Sequence, residues 1–306
     1  MLCGPRSSQY RRRRGPGEKH MSGVVEFVRP AAAAAKRRAA SGARRQPDSG
    51  RYFVQALARG LAAIEVFHDA RALTLSDVAK RAGITRATAR RLLLTLCDLG
   101  YAATDGKLFT LRPRALRLGY AYLSSMGWSE VALTHLRELA EIHGETCSVS
   151  VLDGHDIAYA VRVPATRHGV MLVPAGGRLP AYCTSPGRIL LGGLPPDALD
   201  AYFETAVMRP LTKHTVHTPA GVRKLVDQAR RDGYAFTDEE LDYGVNCIAV
   251  PIRDATGAAV ASLNLSAPSS RLRRRDAVGK ILPDLREAAR NIEMAIRNLP
   301  GRPMAR

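Results

Sequence analysis

From Leu75 onward apolar residues recur at three- and four-residue steps, stop at Gly83, and resume as Ala89, Leu92, Leu93, Leu96 and Leu99. That spacing lines up one face of a helix, so two helices joined by a tight turn are predicted. In the first, Ser76 is the expected N-cap, Ala79 is small enough for close helix contact, and Gly83 permits the turn. The second starts near Thr85 and leaves Arg86 and Arg90 one turn apart on a different, basic face. After Gly100-Tyr101 comes a hairpin with Asp105-Gly106 at its tip and Lys107 beside the turn. Helix, turn, helix and ribbon in that order make a winged helix-turn-helix.

The flanking patterns extend this. Phe53, Leu57, Leu61, Ile64 and Phe67 predict a helix over 51–68 that packs beneath the two helices. Pro113 opens a segment, Arg114 to Ser125, with Leu116, Tyr120 and Leu123 as an apolar stripe, and Gly127 closes it. Such a connecting helix could relay motion or form part of a dimer contact. A helix from Ser129 to His143 follows, then strands Thr146 to Leu152 and Ile157 to Val163 around Asp153-Gly154. Helical patterns lie near Pro186 to Leu194, Pro196 to Thr205 and Ala220 to Asp232. A second hairpin pairs Cys247 to Arg253 with Ala258 to Ser266, and a last helix runs from about Arg275 to Leu299. Antiparallel hairpins with interspersed helices and no βαβ repeat predict an α+β sensor-like domain. The expected divisions are 1–50, a basic tail without a core; 51–112, the winged unit; 113–127, the linker helix; and 128–300, the sensor.

Charge sharpens the picture. Residues 1–50 hold 12 basic and 3 acidic side chains, residues 51–125 hold 12 and 5, and residues 126–306 hold 22 and 20, giving net charges of +9, +7 and +2. A basic part beside a nearly neutral one fits a chain that holds nucleic-acid phosphates with one end and does something else with the other. The positive charge does not lie along a strongly amphipathic helix, which argues against a membrane surface. No apolar core of signal-peptide type follows Arg14, and Met21 offers a second start position. Cys3, Cys97, Cys147, Cys183 and Cys247 are odd in number and widely spaced, which speaks against disulfides and zinc and fits a reducing cytoplasm.

From about Arg51 onward the chain resembles IclR-type transcriptional regulators, which join a winged helix-turn-helix to a GAF-like effector-binding domain. The resemblance is carried by Gly83-Ile84-Thr85-Arg86-Ala87-Thr88-Ala89-Arg90-Arg91, by 118–125 (LGYAYLSS), by 148–154 (SVSVLDG), and by 244–249 (GVNCIA) followed by Ser269-Ser270-Arg271-Leu272. The second and third stretches are similar to the subgroup that controls aromatic-acid catabolism by the protocatechuate, 4-hydroxybenzoate and β-ketoadipate route. The resemblance implies a homodimer or dimer of dimers on a double-stranded DNA operator. Thr85, Arg86, Thr88, Arg90 and Arg91 would stand near base edges or phosphates, and Lys107 on the backbone.

It also implies a pocket for a small carboxylate effector. Backbone amides at a helix start would bind the anion, here at Thr184-Ser185-Pro186-Gly187-Arg188, with Ser185 as N-cap and the amides of Gly187 and Arg188 as donors. Pro186 has no N–H, so one donor of that pattern is missing. Asp238, Cys247, Asn264 and Ser266 match further pocket positions, and Asn264 and Ser266, two apart in a strand, share a face. Cys247 serves equally as a small buried hydrophobe, and Asp238 as the cap of a helix-like Glu239-Glu240-Leu241. Tyr159, Met171, Leu172 and Tyr182 either face an aromatic ring or fill the core.

A cysteine nucleophile at Cys183 or Cys247 with His155, His168 or His214 as base lacks any supporting spacing. There is no G-x-S-x-G, no H-E-x-x-H and no phosphate loop, so no enzyme, cofactor or metal is expected. The alternatives kept open are regulation of another pathway, with glyoxylate, keto-acid or sugar-acid effectors, and a DNA-binding protein without a ligand.

Overall fold

The computed structural model describes residues 52–165 and 175–298; the basic tail, His168, Met171 and Leu172 lie outside the described residues. Helix α1, Gln55–Glu65, buries Ala63, and Phe67 follows just beyond its end. These meet Leu73, Val78, Ala79, Ala89, Leu93 and Phe109 in a small core. The N-terminal part of the predicted stripe is not used there: Phe53, Leu57 and Leu61 stand 41%, 62% and 46% exposed.

Helix α2 spans Leu75–Ala82, and its N-cap is Thr74 rather than Ser76. The preceding Leu73–Thr74, strand β1, pairs with the wing, so Thr74 is the last extended residue before the helix. Its hydroxyl accepts from Asp77 N at 3.2 Å while the Asp77 carboxylate accepts from Thr74 N at 3.1 Å, a reciprocal capping box. Gly83 ends α2 at φ 64°, a backbone state that disfavours any side chain. Helix α3, Arg86–Asp98, follows, then the wing strands β2, Ala102–Thr104, and β3, Leu108–Leu111. A 3-10 turn, Pro113–Ala115, leads into α4, Leu116–Met126, stopped at Gly127. Only Met126 of α4 is buried, whereas Leu116 and Tyr120 are 75% and 69% exposed.

The remaining chain builds one antiparallel sheet between two helical layers. Helix α5, Ser129–His143, precedes β4, Thr146–Asp153, β5, Asp156–Val163, and β6, Arg178–Pro180. Then come α6, Ser185–Gly192, α7, Pro196–Thr205, α8, Pro219–Asp232, β7, Ala235–Asp238, β8, Val245–Arg253, and β9, Ala259–Pro268. The strand order is β6-β5-β4-β9-β8-β7. The two edge strands β6 and β7 have three and four residues, too few for alternation to show in the sequence. The expected last helix is built in pieces: a turn at Arg274–Asp276, a π-helical Ala277–Ile281, and α9, Leu282–Arg297.

Alternation assigns the sheet faces. Cys147, Val149 and Val151 of β4, Ile248, Val250 and Ile252 of β8, and Ala261, Leu263, Leu265 and Ala267 of β9 form the main core with α5 and α9. The intervening residues point the other way, toward α6. There the central strands carry Thr146, Ser148, Ser150, Ser262, Asn264 and Ser266, all buried. A buried face this polar in the middle of a sheet must satisfy its hydroxyls and amides at a cost that an apolar face avoids.

Candidate functional site

On the winged unit, Thr85 caps α3. Its hydroxyl accepts from Thr88 N at 3.2 Å and meets the Thr88 hydroxyl at 2.9 Å. Ala89, Leu93 and Leu96 turn inward, which leaves Thr85, Arg86, Arg90 and Arg91 on the exposed side and Thr88 half-buried between them. The wing tip is fixed by Asp105, whose carboxylate accepts from Lys107 N at 2.8 Å and from Leu108 N at 2.7 Å. The Leu108 and Lys107 amides hold that carboxyl below the usual range. Lys107 is thereby presented outward from a preset turn.

The second site lies between the polar face of the sheet and the start of α6. Strand register sets Thr237, Cys247, Ser266 and Thr146 in one transverse row across β7, β8, β9 and β4. The next row runs Ala235, Ala249, Asn264, Ser148 and Arg162, reaching β5. These rows floor a cavity of about 40 Å³ that opens to solvent. Tyr159, Arg162, Cys247 and Ser266 belong to its lining, and Leu179, Leu241 and Val245 are its apolar walls. Thr184 and Pro186 close it from the α6 side.

The polar groups of the floor are linked. Arg162 Nη1 donates to Ser148 Oγ at 3.3 Å, and the guanidinium carbon stands 4.8 Å from the centre of the Tyr159 ring. Ser150 Oγ donates to Asn264 Oδ1 at 3.4 Å, and Asn264 Nδ2 donates to Cys247 Sγ at 3.4 Å. Burial pushes the Cys247 thiol up to about 11 and the Tyr159 hydroxyl up to about 12, so both are neutral donors at physiological pH.

The start of α6 differs from its sequence reading. Its cap is Thr184, and Ser185 is the first helical residue. The Thr184 hydroxyl takes the Gly187 amide at 3.2 Å and the Thr184 carbonyl takes the Arg188 amide at 3.0 Å. Gly187 serves another need: a Cβ there would sit 2.1 Å from the Ala181 carbonyl oxygen. The Arg188 side chain is turned into a buried ion pair with Glu240. Neither expected amide therefore points into the pocket, and what remains is Ser185. Its hydroxyl is buried, and among the described residues the Cys247 thiol is its one hydrogen-bonding neighbour.

The other expected pocket residues divide. Cys247 and Ser266 line the pocket and Asn264 lies in its floor, whereas Asp238 is exposed at the end of β7. Its neighbour Thr237 lines the pocket instead, because successive strand residues face opposite sides. No helix follows Asp238; the chain bends through Glu239 at φ 52°. Tyr159 faces the pocket, while Tyr182 fills the core and donates its hydroxyl to Arg209 O at 2.7 Å. The sequence does not single out Arg162, although a lone arginine after the apolar run 157–161 is a signal. His155 bonds Thr205 Oγ1 at 2.8 Å and His214 packs edge-on to Tyr243.

Residues 56–106 match the family model described as the IclR helix-turn-helix domain, and residues 120–294 that of the bacterial transcriptional regulator IclR C-terminal domain. The Pca regulon regulatory protein of Pseudomonas putida is 39% identical over 78% of this chain and 83% of its own length. The p-hydroxybenzoate hydroxylase transcriptional activator of Acinetobacter baylyi is 34% identical over 78% of this chain and 91% of its own. The crystal structure of an IclR homolog complexed with 4-hydroxybenzoate, from Microbacterium hydrocarbonoxydans, superposes with a TM-score of 0.70. It is 26% identical over 79% of this chain and 98% of that one.

Proposed function

The chain belongs to the IclR family of bacterial transcriptional regulators, and from that membership we propose how this DNA-binding, effector-controlled protein works. Helix α3 enters the major groove, with Thr85, Arg86, Thr88, Arg90 and Arg91 at base edges or phosphates and Lys107 of the wing on the backbone. The pocket over β4, β9 and β8 takes a small aromatic carboxylate, and the genes under control serve aromatic-acid catabolism. The observation that carries this is the pocket itself, a cleft with a polar floor and one arginine. The 4-hydroxybenzoate complex of the Microbacterium relative and the names of the two curated relatives point to the same ligand class.

The protein works as a homodimer or dimer of dimers in the cytoplasm. Phe53, Leu57 and Leu61 of the first helical stretch, and Leu116, Leu118, Tyr120 and Tyr122 of α4, are exposed apolar side chains suited to a second copy. No helix of the described residues is long and apolar enough to cross a membrane.

Gel-shift titration with the chain's own promoter fragment, with and without 4-hydroxybenzoate, is the direct test. Operator preference over random DNA that changes with the acid is expected. Indifference to aromatic acids together with a response to glyoxylate, pyruvate or a sugar acid would move the protein to another pathway.

A further inference from the structure

Resting on that effector reading, we propose that Arg162 holds the effector's carboxylate and that the Ser185 hydroxyl receives an uncharged polar group at the opposite end of a flat ring. Arg162 is the one charged side chain lining the pocket among the described residues. A carboxylate leaving water for a pocket walled by Leu179, Leu241 and Val245 is best matched by a full opposite charge. The α6 start cannot supply that: its Gly187 and Arg188 amides are bonded to Thr184, Pro186 has no N–H, and an eight-residue helix offers only a fraction of a charge.

Arg162 is also placed for the task. Its bond to Ser148 on the neighbouring strand and its position over the Tyr159 ring hold the guanidinium at the pocket floor. A ring acid paired with it crosses Ser148 and Asn264 along the strand register, and Asn264 Nδ2 reaches from there to Cys247 Sγ in the adjoining row. From β5 to β8 this covers three strand spacings of about 4.8 Å each, and the long arginine side chain takes up the first part of that span.

At the far end stands Ser185. It is fully buried, and among the described residues its hydroxyl has only the Cys247 thiol, a weak hydrogen-bonding group, beside it. Buried hydroxyls are ordinarily well satisfied, so one left with a thiol alone, between the lining residues Thr184 and Pro186, has capacity for a ligand group. A para-hydroxyl of a benzoate supplies both a donor and an acceptor there.

Isothermal titration of the full chain with 4-hydroxybenzoate, 4-hydroxybenzamide and benzoate tests this. The wild type is expected to bind the acid about a hundredfold more tightly than the amide, whose neutral head cannot use the guanidinium. Arg162→Gln should lose about that factor for the acid and keep the amide within a few-fold. Arg162→Lys, which retains the charge without the planar fork, should recover part of the loss. Ser185→Ala should shrink the preference for 4-hydroxybenzoate over benzoate about tenfold. Equal affinity of the wild type for acid and amide overturns the assignment without any variant having to fold, and so does full acid binding by Arg162→Gln. A wild-type chain that binds none of the three compounds overturns the aromatic effector itself.

Discussion

Arg188 and Glu240 meet in a two-pronged ion pair behind the pocket wall, Nη1 to Oε1 at 2.7 Å and Nη2 to Oε2 at 2.5 Å, with Arg188 2% exposed. Glu240 Oε2 also accepts from Val216 N at 3.2 Å, so the pair ties α6 to two loops. Glu240→Gln leaves a buried cation without its counter-charge and is expected to cost about 3–5 kcal/mol in urea unfolding. The double change Arg188→Met with Glu240→Leu should recover most of that loss. A Glu240→Gln protein as stable as the wild type would show that water reaches the pair.

Two glycines in helices should respond oppositely to alanine. At Gly187 the new methyl would lie 2.1 Å from the Ala181 oxygen and 2.4 Å from its Cα, backbone atoms that cannot step aside. Thermal unfolding should register a loss of about 1–3 kcal/mol or more, together with weaker effector binding as α6 is displaced. Gly119, inside α4, has nothing within 4 Å of such a methyl. Gly119→Ala should stabilise by about 0.5–1 kcal/mol.

Arg86→Ala and Arg90→Ala should each weaken operator binding by roughly 1–3 kcal/mol and relax preference at one base position if the side chain pairs with guanine. Lys107→Ala should weaken all sequences alike and lower the salt slope by about one. Fluorescence anisotropy against a set of single-base operator variants separates the two behaviours.

Three thiols, buried Cys147 and Cys183 and half-buried Cys247, give a pH signature. Burial raises Cys247 from 9.0 to about 11, and Cys147 and Cys183 to about 12. The folded state therefore keeps protons that the unfolded chain releases from about pH 9 upward. This contribution is fully present below pH 9 and is lost as pH rises through 11 to 12. Denaturant midpoints should fall across that window, and Cys147→Ala should shallow the fall. Iodoacetamide should modify Cys247 only slowly at pH 8.

Long, strongly periodic segments were legible in the chain. The bounds Ser129–His143 and Pro196–Thr205 agree with the helices seen, and the Asp153-Gly154 hairpin and the Asp105-Gly106 wing tip stand where turn chemistry put them. What stayed hidden depended on long-range pairing. Ser76 and Ser185 have the right chemistry for caps, but sheet pairing of Thr74 and the extended backbone of Thr184 assign that role one or two residues earlier. Phe53, Leu57 and Leu61 have core periodicity, yet the small core ends at Ala63. At the pocket, Cys247, Asn264 and Ser266 could be placed by strand spacing, whereas Arg162 becomes meaningful only once β5 is aligned with β4.

Strand β9 carries two messages on alternate letters. Residues 261, 263, 265 and 267 hold the molecule together, while 262, 264 and 266 are reserved for the opposite side. Exchanges among the second set can redirect chemical preference while leaving the glue untouched, so a lineage can adopt a new inducer by few-letter drift. Losing one residue in mid-strand would swap both messages at once, and neither folding nor sensing would survive.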